Sequence, residues 1–240
     1  MTTADRWTQT VRQRLGLGRL LPLGGPRDGA WIAERAAGAV LRSAARDVPG
    51  VRLDTLRIAL ADPEDVQEPA VPAPPSALPP GPLRVTAEFA ATAAQPLPTA
   101  AALLRRALAT AAAERLGLTV AEVDLRVTGL LDAEPEQAPA ALQEPVRAAL
   151  AGEAEEGRVA TAVLTVPGVL HLTGTLGRPV RIDDRAQGPQ AAALPHRHVL
   201  VELAVGADHR ALDVAREARA AATESLPDHP TAAILISTVA

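Results

Sequence analysis

The sequence predicts an α+β protein made as a tandem repeat of two helix–strand–strand–helix–strand units. Three observations carry this. Between Leu83 and Leu131 an alternating strand, an amphipathic helix and a second alternating strand follow one another. The run Val48-Pro49-Gly50-Val51 recurs as Val166-Pro167-Gly168-Val169, 118 positions later, each time at the end of helical sequence. A further strand, helix and strand then close the chain from Val199 to Val239.

Residues 1–27 form a basic segment, with five arginines against Asp5 in a chain of net charge −4. Arg6, Arg12, Arg14 and Arg19, with Trp7 and the leucines around it, have the makings of an amphipathic helix. Such a helix either meets a membrane surface or a partner, or packs on its own domain. The first domain is expected over 28–131. Asp28 is read as the cap of a helix running to about Asp47, with Ile32, Ala36, Val40 and Ala44 on its apolar face. Val51–Leu60 then reads as a strand. Residues 61–82 carry eight prolines, which excludes regular structure and leaves an extended hairpin connection.

After that loop, Leu83, Val85, Ala87 and Phe89 share one face of a strand, opposite Arg84, Thr86 and Glu88. Thr99 is placed to cap the next helix, whose face is Leu104, Leu108 and Ala111, and Gly117 stands where a left-handed C-cap belongs. Val123, Leu125 and Val127 alternate with Asp124, Arg126 and Thr128 in the strand that follows. Residues 132–140 read as a Pro-containing acidic linker, and 141–240 as the second, divergent copy. That copy starts with Ala-rich helix to about Val166 and continues with short strands at 169–173 and 179–182. A Gly/Pro/Gln loop leads to His196. Val199–Val205 alternates as a strand, Asp208 is placed to cap a helix with Ala211, Ala215, Ala218 and Ala222 on one face, and 233–239 is an apolar closing strand.

Composition narrows the function classes. All 24 basic residues are Arg, and Lys, Asn and Tyr are absent, a usage that suits a GC-rich bacterial genome. With one Phe and two Trp, the core is built from Ala, Leu and Val. The lack of Cys removes disulfides, thiolate nucleophiles and Cys-ligated metals, and fits a reducing cytoplasm. No run reaches the roughly 18 apolar residues of a membrane span. The acidic balance argues against bulk binding of nucleic acid.

The first copy resembles the alkaline-shock, or envelope-stress-response, family of small bacterial proteins. The likeness rests on a helix closing in a-a-x-x-V-P-G-V (Ala44–Val51), the alternating strand at 83–91, the amphipathic helix, and G-L-x-V-x-x-V-D-L-x-V (Gly117–Val127). It covers about 28–131, with an echo over 141–240 in which Leu226-Pro227-Asp228-His229 replaces the second motif. The resemblance implies a three-stranded sheet backed by two helices in each copy, and a non-enzymatic role. It also implies cytoplasmic proteins held near the cell membrane by small membrane-protein partners, in envelope homeostasis. The tandem second copy and the Pro-rich loop depart from the family pattern.

Catalytic and ligand-binding patterns are thin. His196 and His198 fall on one side of a strand and His209 opens a helix, so the three are the candidate zinc ligands, without a carboxylate at ligand spacing. Pro195 and Arg197 place that stretch in an exposed loop. Ser43, Ser76, Ser225 and Ser237 lie outside any nucleophile elbow. Asp183-Asp184 and Glu155-Glu156 read as solvated turns. The element order is shared with KH-like RNA binders, but no Gly-x-x-Gly loop joins two of the predicted helices. No cofactor is expected. The reading is a scaffold or adaptor with a protein partner and an expected capacity for homo-oligomers, using its sheet edges, Ala-rich helix faces and basic N-terminal segment. The alternative is a small-ligand or metal-binding protein that uses the His-bearing second copy.

Overall fold

A computed structural model of the protein describes residues 18–134, 154–185 and 196–240. In chain order the elements are β1 (Leu20–Leu23), β2 (Ala30–Ala33), α1 (Glu34–Arg46), β3 (Val51–Leu60), β4 (Leu83–Thr92) and α2 (Leu97–Thr110). A π-helical turn over Ala111–Leu116 extends α2, and β5 (Val120–Leu131) follows. The second half holds α3 (Ala154–Leu164), β6 (Val169–Leu172), β7 (Val180–Arg185), β8 (His196–Val205), α4 (Ala211–Glu224) and β9 (Thr231–Val239). The class is α+β, with two sheets.

The first sheet has the order β3-β4-β5. β3 and β4 are antiparallel across the Pro-rich loop, while β4 and β5 are parallel because a helix carries the chain back between them. The second sheet has six strands in the order β1-β2-β9-β8-β6, with β7 also on β8. Here β6 and β7 run antiparallel to β8, and β9 lies parallel to β8 beyond the α4 crossover. Each half therefore has the same strand directions. In the second, β6 and β7 together take the place that β3 fills alone in the first.

The second sheet takes strands from the beginning of the chain. β2 lies parallel to β9, with Ala30 facing Ile234 and Ile32 facing Ile236. This corrects the expectation of a helix from Asp28. Ala30–Ala33 are buried without interruption, which fits a strand covered on both faces and not a helix with one wet side. The Asp28 carboxylate accepts the Gly25 N–H at 2.7 Å and so caps the β1–β2 turn. The helix starts six residues later, at Glu34. Leu20 and Leu21, grouped with an amphipathic helix, are strand residues as well. The rest of that segment, with Arg6, Trp7, Arg12 and Arg14, lies outside the described residues. So do most of the 132–140 linker, the expected helix before Ala154, and the loop at 186–195.

Two further caps differ from expectation. Neither Thr99 nor Asp208 caps its helix through a side chain, since the N-cap positions are Pro96 and Arg210. A fixed proline φ suits the first turn of α2 without a side-chain acceptor. The apolar faces are as predicted. Leu104, Leu108 and Ala111 are buried in the first half, as are Ala211, Ala215, Ala218 and Ala222 in the second. Gly117 is left-handed, at φ 88°.

The Pro-rich loop does more than join β3 to β4. It crosses to the other sheet, where Leu78 N–H donates to Leu20 O at 2.9 Å and Ala70 N–H to Pro26 O at 2.8 Å. The indole N–H of fully buried Trp31 donates to Leu78 O at 3.2 Å. Buried side chains from both sheets form one continuous apolar cluster. Gly117 and Leu212 meet in it, as do α1 and β9.

Candidate functional site

The two sheets carry the same polar device in different surroundings. In the first sheet the ladder slips at Thr128, whose hydroxyl donates to Asp54 at 2.8 Å and lies 3.1 Å from Phe89 O. In the second it slips at Ser237, whose hydroxyl lies 3.4 Å from Leu203 O. Beside these bulges, the Thr55 hydroxyl donates to Glu88 at 3.0 Å and the Thr173 hydroxyl to Glu202 at 2.9 Å. The strand turns match too: Thr92 N–H donates to Gly50 O and Gly206 N–H to Gly168 O, at 2.8 and 2.9 Å.

In the second sheet this device is sealed. Glu202 is 2% exposed, and besides Thr173 its carboxylate accepts the N–H groups of Thr175 and Leu176, each at 2.9 Å. Thr173 in turn meets Ser237 at 2.6 Å. The Gly174-Thr175-Leu176-Gly177 loop has the spacing of a phosphate-contacting turn, but it joins two strands and its amides are already spent on Glu202. A buried carboxylate with three donors and, among the described residues, no cation paired with it is a structural anchor.

In the first sheet the same face is open to solvent. It carries a lattice of alternating charge: Arg52 with Asp54 at 3.0 Å, Arg84 with Glu122 and Asp124 at 2.5 and 3.5 Å, and Arg126 with Glu88 at 3.5 Å. The Thr128 hydroxyl, with Arg52 as a smaller contributor, holds the Asp54 carboxyl below its ordinary pKa, against a partial desolvation that would raise it. Exposed pairs of this kind add little stability. They define a polar surface.

The strand edges differ in the same sense. β9 is flanked by β8 and β2, and Ala232–Ser237 are all buried. Its counterpart β5 is 12 residues long and ends its sheet, with no strand on its outer edge among the described residues. Val127 is 40% and Leu130 65% exposed there. The chain leaving β5 turns across the end of the sheet, where Glu134 accepts the Gly50 N–H at 3.3 Å. A second surface feature is an open cleft of about 280 Å³, lined by Gly18, Glu34, Arg35, Gly38, Arg42, Leu56, Arg57 and Ile58. Its guanidinium groups suit an oxyanion, but Glu34 is built into its wall and accepts the Ile58 N–H at 3.1 Å.

The residues singled out in the sequence are placed as follows. Arg19 is exposed just before β1, and its carbonyl accepts the Glu34 N–H at 2.8 Å, so its backbone fixes the start of α1. His198 is buried, with Nδ1 2.9 Å from the Thr231 hydroxyl. His209 follows the far end of β8, with Nδ1 2.9 Å from Asp208. About 20 Å of strand separates them, at ~3.3 Å per residue, so these two do not share a metal. The His196 side chain lies outside the described set. No cluster of three or more metal-ligating side chains occurs among the described residues.

Arg197 is in β8 and not in an exposed loop. It pairs with Glu155, with Asp228 at 3.3 Å and with Asp184 at 3.7 Å. The Glu155 hydrogen bond, with Asp228 adding charge, raises its pKa although desolvation opposes it. The acid pairs read as solvated turns are in regular elements and bonded to arginines, Glu156 to Arg178 at 3.1 Å and Asp183 to Arg181 at 3.0 Å. Sequence reasoning missed Glu202. Its alternation with Val201 and Leu203 marks it as facing the other side of β8, but nothing in the sequence shows that side to be covered.

No helix among the described residues is long and apolar enough to cross a membrane. Comparison with protein-family models, with curated proteins and with solved structures finds no match.

Proposed function

We propose that the protein is a non-enzymatic adaptor in the bacterial envelope-stress response, built from two related α+β units in tandem and acting through protein–protein contacts near the membrane. One observation carries the adaptor reading. Among the described residues the long β5 edge and its charged sheet face are open, whereas the matching edge and face of the second sheet are covered by other parts of the chain. An open edge of main-chain donors and acceptors is a template for another strand. The matched bulges, threonine–glutamate pairs and strand turns support descent of the two units from one. The envelope role rests on the family resemblance of residues 28–131. The proposed further contacts are Arg6, Trp7, Arg12, Arg14 and Arg19 of the basic segment, toward a small membrane protein or the membrane surface.

The experiment is crosslinking in native cells before lysis, followed by fractionation, for the full chain and for a version lacking residues 1–17. That truncation spares β1, which a cut at residue 27 would remove. Full-length protein that sediments with membranes through a crosslinked partner supports the reading, and the truncation then assigns the anchor. Protein that stays in the supernatant without crosslinks in both versions overturns it.

A further inference from the structure

We propose that the β5 edge is a self-association site, where a second copy of the chain adds its own β5 antiparallel across a two-fold axis at Leu125. The inference rests on the adaptor reading of that edge and names its occupant.

The first support is the direction of the main chain. The Arg105 guanidinium on α2 donates to Val123 O at 3.2 Å, so Val123 points its carbonyl away from β4. Leu83 N–H donates to Thr119 O at the other end of the ladder, and Val85 lies opposite Val123. Through this part of β5 the even-numbered residues therefore bond β4. Val123, Leu125 and Val127 present their N–H and C=O groups outward. An antiparallel partner must pair odd residues with odd ones. Arg105 occupies one lone pair of the Val123 oxygen, and a carbonyl has two.

The second support is charge. The outer-face residues of this stretch are Glu122, Asp124 and Arg126. Centring the axis on Leu125 puts Asp124 of each copy opposite Arg126 of the other and Glu122 opposite Thr128. Val123 then faces Val127 on the helix side. Shifting the axis to Asp124 sets Asp124 against itself, to Arg126 sets Arg126 against itself, and to Val123 sets Glu122 against Asp124. Of these four registers with correct main-chain parity, only the Leu125-centred one has two complementary pairs and no like-charge pair. The pairing ends at the Thr128 bulge and covers Val127, which is 40% exposed in the single chain. The joined sheets would form one six-stranded sheet. An isologous contact of this kind closes at two copies.

The test is sedimentation equilibrium of the full chain up to about 100 μM, a range suited to a micromolar contact, with Asp124→Arg, Arg126→Asp and the double exchange. Each single exchange replaces both attractive pairs by like charges and weakens the dimer about tenfold or more. The double exchange restores the dimer. Within one chain, however, it sets a guanidinium at position 124 against Arg84 and a carboxylate at position 126 against Glu88, so its thermal stability is not restored. Recovered association without recovered stability therefore separates an intermolecular role from an intramolecular one. A chain that is monomeric throughout, or a dimer indifferent to the exchanges, overturns the proposal. Crosslinks from β5 to a different protein in cells would then keep the adaptor reading, and absence of those crosslinks too would remove both.

Discussion

Asp28 shows how one side chain acts at a distance in sequence. It caps the β1–β2 turn and accepts from Arg216 of α4 at 2.8 Å, tying the start of the chain to its last helix. Partial burial would raise its pKa, but the hydrogen bonds from Arg216 and the Gly25 amide outweigh this and hold the carboxyl below its ordinary range. A depressed pKa stabilises the fold above the unfolded value of about 3.9, and the gain disappears as pH falls through the folded value. Asp28→Asn is expected to cost about 1 kcal/mol near neutral pH. Urea unfolding at pH 7 and pH 3 checks it, since the gap between variant and parent should narrow at the lower pH. Glu202→Gln places an amide group where three donors converge, and should cost about 2 kcal/mol, or roughly 4–8 °C in Tm. Limited proteolysis should then cut at 173–179, the loop that Glu202 holds.

At the scale of elements, the alternating strands and Ala-faced helices were legible because each buries one side, and period alone reveals that. Val120–Leu131 and Ala211–Glu224 are of this kind. Ala30–Ala33 was not legible. Four residues buried on both faces have no period, and the nearby Asp28 with Glu34, Ala36 and Val40 imitates the opening of a helix. The open sheet was half legible: the charges of Arg84, Glu88, Asp124 and Arg126 mark a wet face, but no local pattern tells that the same face is sealed at Glu202. The candidate histidines were adjacent only in sequence, as strand length set His198 and His209 apart. For β5, its exposed end predicts that Leu130→Glu leaves thermal stability nearly unchanged, within about 0.5 kcal/mol. The same change at Leu125, half-buried against the helix layer, should lower it measurably by calorimetry.

For the whole molecule, the junction of the halves is set by close contact. Gly117 is at φ 88°, its carbonyl accepts the Gly24 N–H at 3.2 Å, and a Cβ there would come within 2.5 Å of Leu212. Gly117→Ala is therefore strained twice, by its backbone and by its neighbour. It should destabilise by about 1–3 kcal/mol in chemical denaturation, as a single transition because both sheets share one core. The Pro-rich loop strengthens that coupling through Leu78 and Trp31. Internal repetition in the sequence suggested two units; that β1 and β2 join the sheet of the second half needed three dimensions to be seen.

The pairing of β2 with β9 also has a consequence in time. Ala30 leaves the ribosome long before Ile234 exists, so the β1–β2 hairpin must wait through most of synthesis for the strand that completes its sheet. Meanwhile its apolar residues, Leu20 to Leu23 and Ala30 to Ala33, lack the strand that completes their sheet, with the Pro-rich loop and α1 as their early neighbours. Closing so long a loop last makes for slow maturation. A nascent chain stalled before Thr231 should be held by chaperones, and its release should coincide with the emergence of β9.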